Sequence, residues 1–244
     1  MKQTACGITD VGRKRKNNED SFLVIEDKSL YIVADGMGGH NAGEVASYNA
    51  VNLVNGYLTP ERIAAIQSEE AARKVMHDAV ISAHEWILGA SKDKKEYRGM
   101  GTTIVVSFIQ DTILHTCHVG DSRAYIIHDG GIMQITNDHS HVGELVRSGK
   151  LTSEEARHSP IKNQITQALG SPFPVHPEYS RHPLDMNSRV LLCSDGLWDM
   201  LSDAEIHKTV MENGDEEFIC KDLVKKANDA GGDDNITVVI VKVT

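Results

Sequence analysis

Apolar residues along this chain follow two rhythms. Runs rich in β-branched residues predict strands at 21–25, 30–34, 102–109, 113–119, 124–128, 132–135, 189–193 and 236–243. Between two of these runs stands Asp129-Gly130-Gly131, whose residues tolerate positive φ, so a hairpin is predicted there. The other rhythm is helical. Ala72, Val75/Met76, Ala79/Val80, Ala83 and Trp86/Ile87 form one stripe, and Val45, Tyr48, Val51, Leu53 and Tyr57/Leu58 form another. Shorter helices are predicted at 142–148, 153–157, 203–211 and 216–229. Consecutive strands joined by short turns imply antiparallel sheets, with helices covering them in an α+β, layered arrangement.

Length and composition narrow the class. The 244 residues include only six prolines, no Gly/Ser-rich linker and no repeat, so one domain over 1–244 is expected. Acidic residues outnumber basic ones 35 to 25, and the resulting charge of -10 repels nucleic acid and anionic membrane alike. Neither is expected as a partner. No apolar stretch follows Lys2 and no run of ~18 residues is free of charge, which predicts a chain that is neither secreted nor anchored. Cys6, Cys117, Cys193 and Cys220 lie far apart without a Cys-x-x-Cys pair, which argues against a disulfide framework and a zinc knuckle and suits the cytoplasm.

Three of the best apolar runs end at an aspartate: Asp35-Gly36, Asp121-Ser122 and Asp195-Gly196. A fourth run begins after Asp233-Asp234-Asn235. Each of these dipeptides alone could be a turn. Taken together, carboxylates at the ends of buried strands would converge on one edge, where only cations make their mutual repulsion tolerable. Carboxylates without clustered His or Cys select hard ions, so Mg²⁺ or Mn²⁺ is expected. The stretch Asp35-Gly36-Met37-Gly38-Gly39-His40 would let the backbone approach an ion and free the Gly36 carbonyl as a ligand. His40 reads either as a helix-entry residue or as a catalyst beside Asp35. In Arg13-Lys14-Arg15-Lys16, either the basic residues are solvated or one arginine presents its planar fork to a phosphate dianion. Cys117 and Arg123 have the Cys-x5-Arg spacing of thiolate phosphatases, but Thr116 precedes the cysteine and Asp121 inside the loop would repel thiolate and phosphate.

These motifs occur in a known order. Arg15 with Asn18-Glu19-Asp20, Asp35-Gly36-Met37-Gly38-Gly39-His40, Gly101-Thr102-Thr103, Gly120-Asp121-Ser122-Arg123, Ser194-Asp195-Gly196-Leu197-Trp198 and Asp234-Asn235-Ile236-Thr237 resemble the type 2C metal-dependent protein phosphatases, and among them the small bacterial members. The resemblance runs from Gly7 to Val243. It implies a four-layer α-β-β-α sandwich, two central antiparallel sheets flanked by helix pairs, with a binuclear Mn²⁺/Mg²⁺ centre. In that pattern Asp35 bridges two ions, Asp195 and Asp234 complete the first, and the Gly36 carbonyl serves the second. Asp121 joins Asp195 at a weaker third metal site. Asp20 matches an acid that acts through metal-bound water, Arg15 the phosphate-binding arginine, and 139–166 a flap beside the site.

Met37 stands where animal and plant members carry His, which leaves His40 as the nearest leaving-group acid. Within the flap, Ser159 replaces the His that commonly precedes Pro160, and Lys162 replaces an Arg. The resemblance therefore implies a cytoplasmic protein serine/threonine phosphatase whose substrates are phosphorylated proteins and whose opposing partner is a eukaryotic-like Ser/Thr kinase. Two alternatives stay open: a non-catalytic phosphoprotein-binding module on the same fold, and a relative of the developmental phosphatases of spore formers.

Overall fold

The computed structural model describes residues 2–38, 42–212 and 214–244. The elements run in the order β1 (Gln3–Asp10), β2 (Asp20–Ile25), β3 (Leu30–Met37), α1 (Ala42–Tyr57), α2 (Pro60–Ala64), α3 (Glu69–Asp93), β4 (Gly101–Thr102), β5 (Ile104–Gln110), β6 (Ile113–Val119), β7 (Arg123–His128) and β8 (Gly131–Gln134). They continue with α4 (His141–Arg147), α5 (Ser153–Arg157), β9 (Glu178–Pro183), β10 (Arg189–Cys193), α6 (Asp195–Trp198), α7 (Asp203–Val210), α8 (Glu216–Asp229) and β11 (Ile236–Val243). One sheet has the order β1-β11-β10-β7-β8 and the other β2-β3-β5-β6-β9, with β4 paired to the end of β3. Every named strand pair is antiparallel.

The central strands are apolar at nearly every position because both of their faces are covered. In β3, Leu30, Ile32 and Ala34 pack with α1 and α3, whereas Tyr31 and Val33 point between the sheets. In β11, Ile236, Val238 and Ile240 meet the α8 side, and Val239, Val241 and Val243 join Tyr31 in the inter-sheet layer. Three buried clusters thus stack as helix, sheet, sheet, helix, and the expected four-layer α+β architecture is the one observed.

Two strands, β1 and β9, escape the hydrophobic pattern. Both lie at sheet edges, and their residues are half-buried or exposed. The run expected at 102–109 is broken at Thr103, whose backbone amide donates to the Asp35 carbonyl at 2.8 Å. That break delivers Thr103 to the end of β3, where the carboxylates gather. Among the described residues no helix is long and apolar enough to cross a membrane.

Candidate active site

The strand ends and turns predicted to converge do so. Asp20 begins β2 and lies opposite Asp35 of β3 in the antiparallel register. Asp121 precedes β7, Asp195 opens α6 directly after β10, and Asp234 precedes β11. A cavity of about 240 Å³ at this end is lined by Asp35, Gly36, Asp121, Asp195, Asp234 and Arg15, among others. Gly36 is required by close approach. A Cβ there would stand 2.2 Å from the Gly43 carbonyl oxygen and 2.4 Å from that of Glu19, so no side chain fits.

Asp20 takes a position behind the cavity rather than on its wall. It is buried, and its Oδ2 accepts from Ser194 Oγ at 2.7 Å and from Thr237 Oγ1 at 2.6 Å, while Oδ1 has no partner. Arg15 reaches in from its exposed loop and donates from Nη2 to Asp234 Oδ2 at 2.5 Å. Its guanidinium therefore covers a candidate ligand. His40, the expected leaving-group acid, lies outside the described residues.

The carboxylates disturb one another. Burial, with Asp20, Asp195, Asp121 and Asp234 nearby, drives Asp35 well above the usual carboxylate range. Burial and then Asp195 and Asp138 do the same to Asp121, against the opposing pull of Arg123. Burial and Asp234 push Asp195 up to about 6, although a hydrogen bond with Asp35 works the other way. Asp20 rises to about 8, again chiefly through burial, against the two hydroxyls that stabilise its charge. Such a group of acids, held by Arg15 alone among the lining cations, is poised for external positive charge. Asp195 Oδ1 is also buried without a partner, as Asp20 Oδ1 is. An all-oxygen donor set with unsatisfied lone pairs fits hard divalent cations.

Several residues that hold this arrangement carried no functional expectation of their own. Thr103 Oγ1 accepts the Asp35 amide at 3.0 Å and shares a 2.7 Å bond with Ser122 Oγ. Asn235 Oδ1 accepts the Glu19 amide at 2.8 Å, and its Nδ2 donates to the carbonyls of Val11 and Asn17, which ties the Arg15 loop to β11. Trp198 Nε1 donates to the Asp121 carbonyl at 3.1 Å. The available signal was adjacency, since each of these side chains sits within a few residues of an aspartate in the quoted motifs.

His118, His139 and Glu178 offer ligand atoms within 4.8 Å of one another. Their hydrogen bonds show a brace. His118 Nε2 lies 2.8 Å from the Asn137 carbonyl, and His139 Nε2 lies 3.4 Å from Glu178 Oε2. His139 Nδ1 accepts the Gly120 amide at 3.3 Å, and the His139 amide returns a 2.9 Å bond to the Gly120 carbonyl. This brace secures the turn that presents Asp121, where Gly120 has φ +104°. The thiolate alternative fails on geometry. Cys117 is fully buried in the helix-side core, burial pushes its thiol up to about 12, and Arg123 is engaged by Asp138.

Residues 11–225 match the family model described as Protein phosphatase 2C. The protein phosphatase PhpP of Streptococcus pneumoniae is 39% identical over 237 residues, covering 96% of this chain and 95% of its own. The S. agalactiae serine/threonine phosphatase superposes with a TM-score of 0.91 at 37% identity, covering 99% of this chain and 100% of its own. The catalytic domain of the serine/threonine protein phosphatase PstP, solved in complex with two manganese ions, gives a TM-score of 0.84 at 33% identity over 99% of each chain. A sandwich with carboxylates gathered at one end, matched along nearly its whole length by these enzymes, places this chain in the protein phosphatase 2C family.

Proposed function

We propose that this chain hydrolyses phosphoserine and phosphothreonine in proteins at the carboxylate cavity, with two Mn²⁺ or Mg²⁺ ions as cofactors. As a member of its family it is a metal-dependent serine/threonine protein phosphatase. The observation that carries the ion assignment is the convergence of Asp35, Asp121, Asp195 and Asp234 on one cavity, with Asp195 Oδ1 buried and unpartnered. Asp35, the Gly36 carbonyl, Asp195 and Asp234 would hold the two ions, and Asp121 with Asp195 a weaker third. When bound, such ions supply a water of lowered pKa to attack phosphorus and positive charge to meet the phosphoryl oxygens.

The residues of the chain divide the remaining work. Arg15 offers its fork to the phosphoryl group, and the loop that carries it is held to β11 by Asn235. Asp20, anchored by Ser194 and Thr237, stands behind Asp35 and orders water there through its free Oδ1. Thr103 keeps the Asp35 backbone in place. His40 is the proposed proton donor to the departing Ser/Thr oxygen. We read 1–244 as one catalytic domain, 139–166 as its flap, the cytoplasm as its location, and a eukaryotic-like Ser/Thr kinase as its opponent.

Metal removal tests the reading directly. EDTA should abolish turnover of a phosphothreonine peptide, and added Mn²⁺ or Mg²⁺ should restore it. Full activity in metal-free buffer would end the assignment.

A further inference from the structure

A second cavity, of about 220 Å³, lies among α4, α5 and Trp198 and shares no lining residue with the carboxylate cavity. Four cations line it, Arg123, Arg147, Arg157 and Lys162, against one carboxylate, Asp138. This is an inverted balance for a chain of net charge -10. Two of the four cations are neutralised. Arg123 grips both Asp138 oxygens, and Lys162 pairs with Asp199 at 2.7 and 2.8 Å.

The other two keep spare donors. Arg147 Nη1 donates to the Asp138 carbonyl at 2.8 Å, and Arg157 Nη2 reaches the Asp199 carbonyl at 3.4 Å. Neither forms an ion pair with a carboxylate among the described residues. Glu205 feels the charge of Arg157, but it is already committed to capping α7 through Ser202. The rest of the wall includes Val142, Val146, Ala156 and the Trp198 ring, over which the Arg123 guanidinium lies 3.7 Å from the centroid.

Two guanidinium groups with free donors beside an apolar wall match an anionic head on a small apolar body. The volume falls below the roughly 300–1,000 Å³ of drug-sized sites, so the occupant is smaller than a nucleotide. We propose that this cavity binds a small organic anion, its phosphate or carboxylate held by Arg147 and Arg157 and its apolar part against Trp198, and that occupancy is felt at Asp121. The connection is short. Trp198 Nε1 holds the Asp121 carbonyl, and Asp138 precedes His139, which is bonded twice to Gly120. An occupant that shifts the Trp198 ring therefore acts on the turn that presents Asp121.

The test reads the cavity without relying on catalysis. The chain has two tryptophans, so Trp86→Phe leaves Trp198 as the only indole emitter. The Mn²⁺-loaded Trp86→Phe protein is titrated with phenylphosphonate and, separately, phenylacetate. Emission should change saturably in the millimolar range or below. Arg147→Ala/Arg157→Ala should weaken binding by about tenfold or more, and the double lysine variant should recover part of it. Arg147→Gln and Arg157→Gln singly serve if the double variant does not fold by circular dichroism. Asp35→Asn, which alters the other cavity, should keep saturable binding, its affinity moving by no more than the factor by which the probe shifts the Mn²⁺ midpoint.

A preference for the phosphonate identifies a phosphorylated occupant and a preference for phenylacetate a carboxylic acid; both support the site. No saturable change with either probe, a change undiminished by loss of the arginines, or one lost in Asp35→Asn would overturn it. The coupling is read in the same protein. A saturating probe should shift the Mn²⁺ concentration for half-maximal activity by about twofold or more, and an unmoved midpoint would refute the link to Asp121.

Discussion

Replacing Asp195 by asparagine should change the stability of the protein in opposite directions without and with metal. In the folded chain burial and Asp234 raise Asp195 from its ordinary 3.8 to about 6. A carboxyl raised on folding binds its proton more tightly in the native state, so stability falls as pH climbs from about 4 to about 6 and the penalty is complete at pH 7.5. At 1.36 kcal/mol per pKa unit that penalty is at most about 3 kcal/mol. Asparagine keeps the shape and removes the charge. In EDTA at pH 7.5 the variant should therefore melt higher than the parent, by up to about 6–12 °C for a chain of this size at roughly 2–4 °C per kcal/mol.

Mn²⁺ should reverse the order. Two ions, each at about a hundred times its dissociation constant, stabilise the parent by about 2.7 kcal/mol apiece, which together exceeds the penalty, and a variant that binds them poorly gains less. Differential scanning calorimetry in EDTA and in Mn²⁺, at pH 7.5 and again at pH 5, makes the measurement, and the EDTA gain should shrink at the lower pH. If Asp195→Asn melts lower than the parent in EDTA, the mutual repulsion argument is wrong. If Mn²⁺ raises both proteins equally, Asp195 does not hold the ions.

Three other outcomes follow from the geometry. Thr103→Val strips the Asp35 amide of its acceptor and Ser122 of its partner, which should cost about 1–3 kcal/mol in urea unfolding and weaken Mn²⁺ activation; unchanged values for both would remove Thr103 from the site. Cys117→Ser should keep turnover within about twofold while losing about 1–3 kcal/mol, because a hydroxyl replaces a thiol in an apolar core; a folded, Mn²⁺-binding but inactive variant would revive the thiolate mechanism. Arg15→Ala should raise KM for a phosphopeptide by about tenfold to a hundredfold with a smaller effect on kcat, and Arg15→Lys should recover part of it; a pure loss of kcat would assign Arg15 to the transition state alone.

The sequence by itself determined the interior strands and the chemistry at their ends. β3, β5, β6, β10 and β11 are covered on both faces, so their composition records their burial whatever strand lies beside them. Asp35, Asp121, Asp195 and Asp234 are legible for a related reason: an acid where an apolar run stops or starts is conspicuous, and four of them imply a common edge. The two strands that stayed hidden, β1 and β9, are edge strands whose half-exposed residues leave no periodic trace.

Tertiary structure alone decided who touches whom. Asp20 was expected to act in the site, but its place behind the cavity follows from hydroxyls 174 and 217 residues away. Arg15 lies on Asp234 across 219 positions. The Trp198 bond to the Asp121 carbonyl and the second, cationic cavity likewise exist only once the two sheets close. Burial leaves its mark on each residue separately, because it acts on side chains one at a time. A hydrogen bond or a shared cavity belongs to a pair or a group brought together by the fold, and local pattern carries no record of which members will meet.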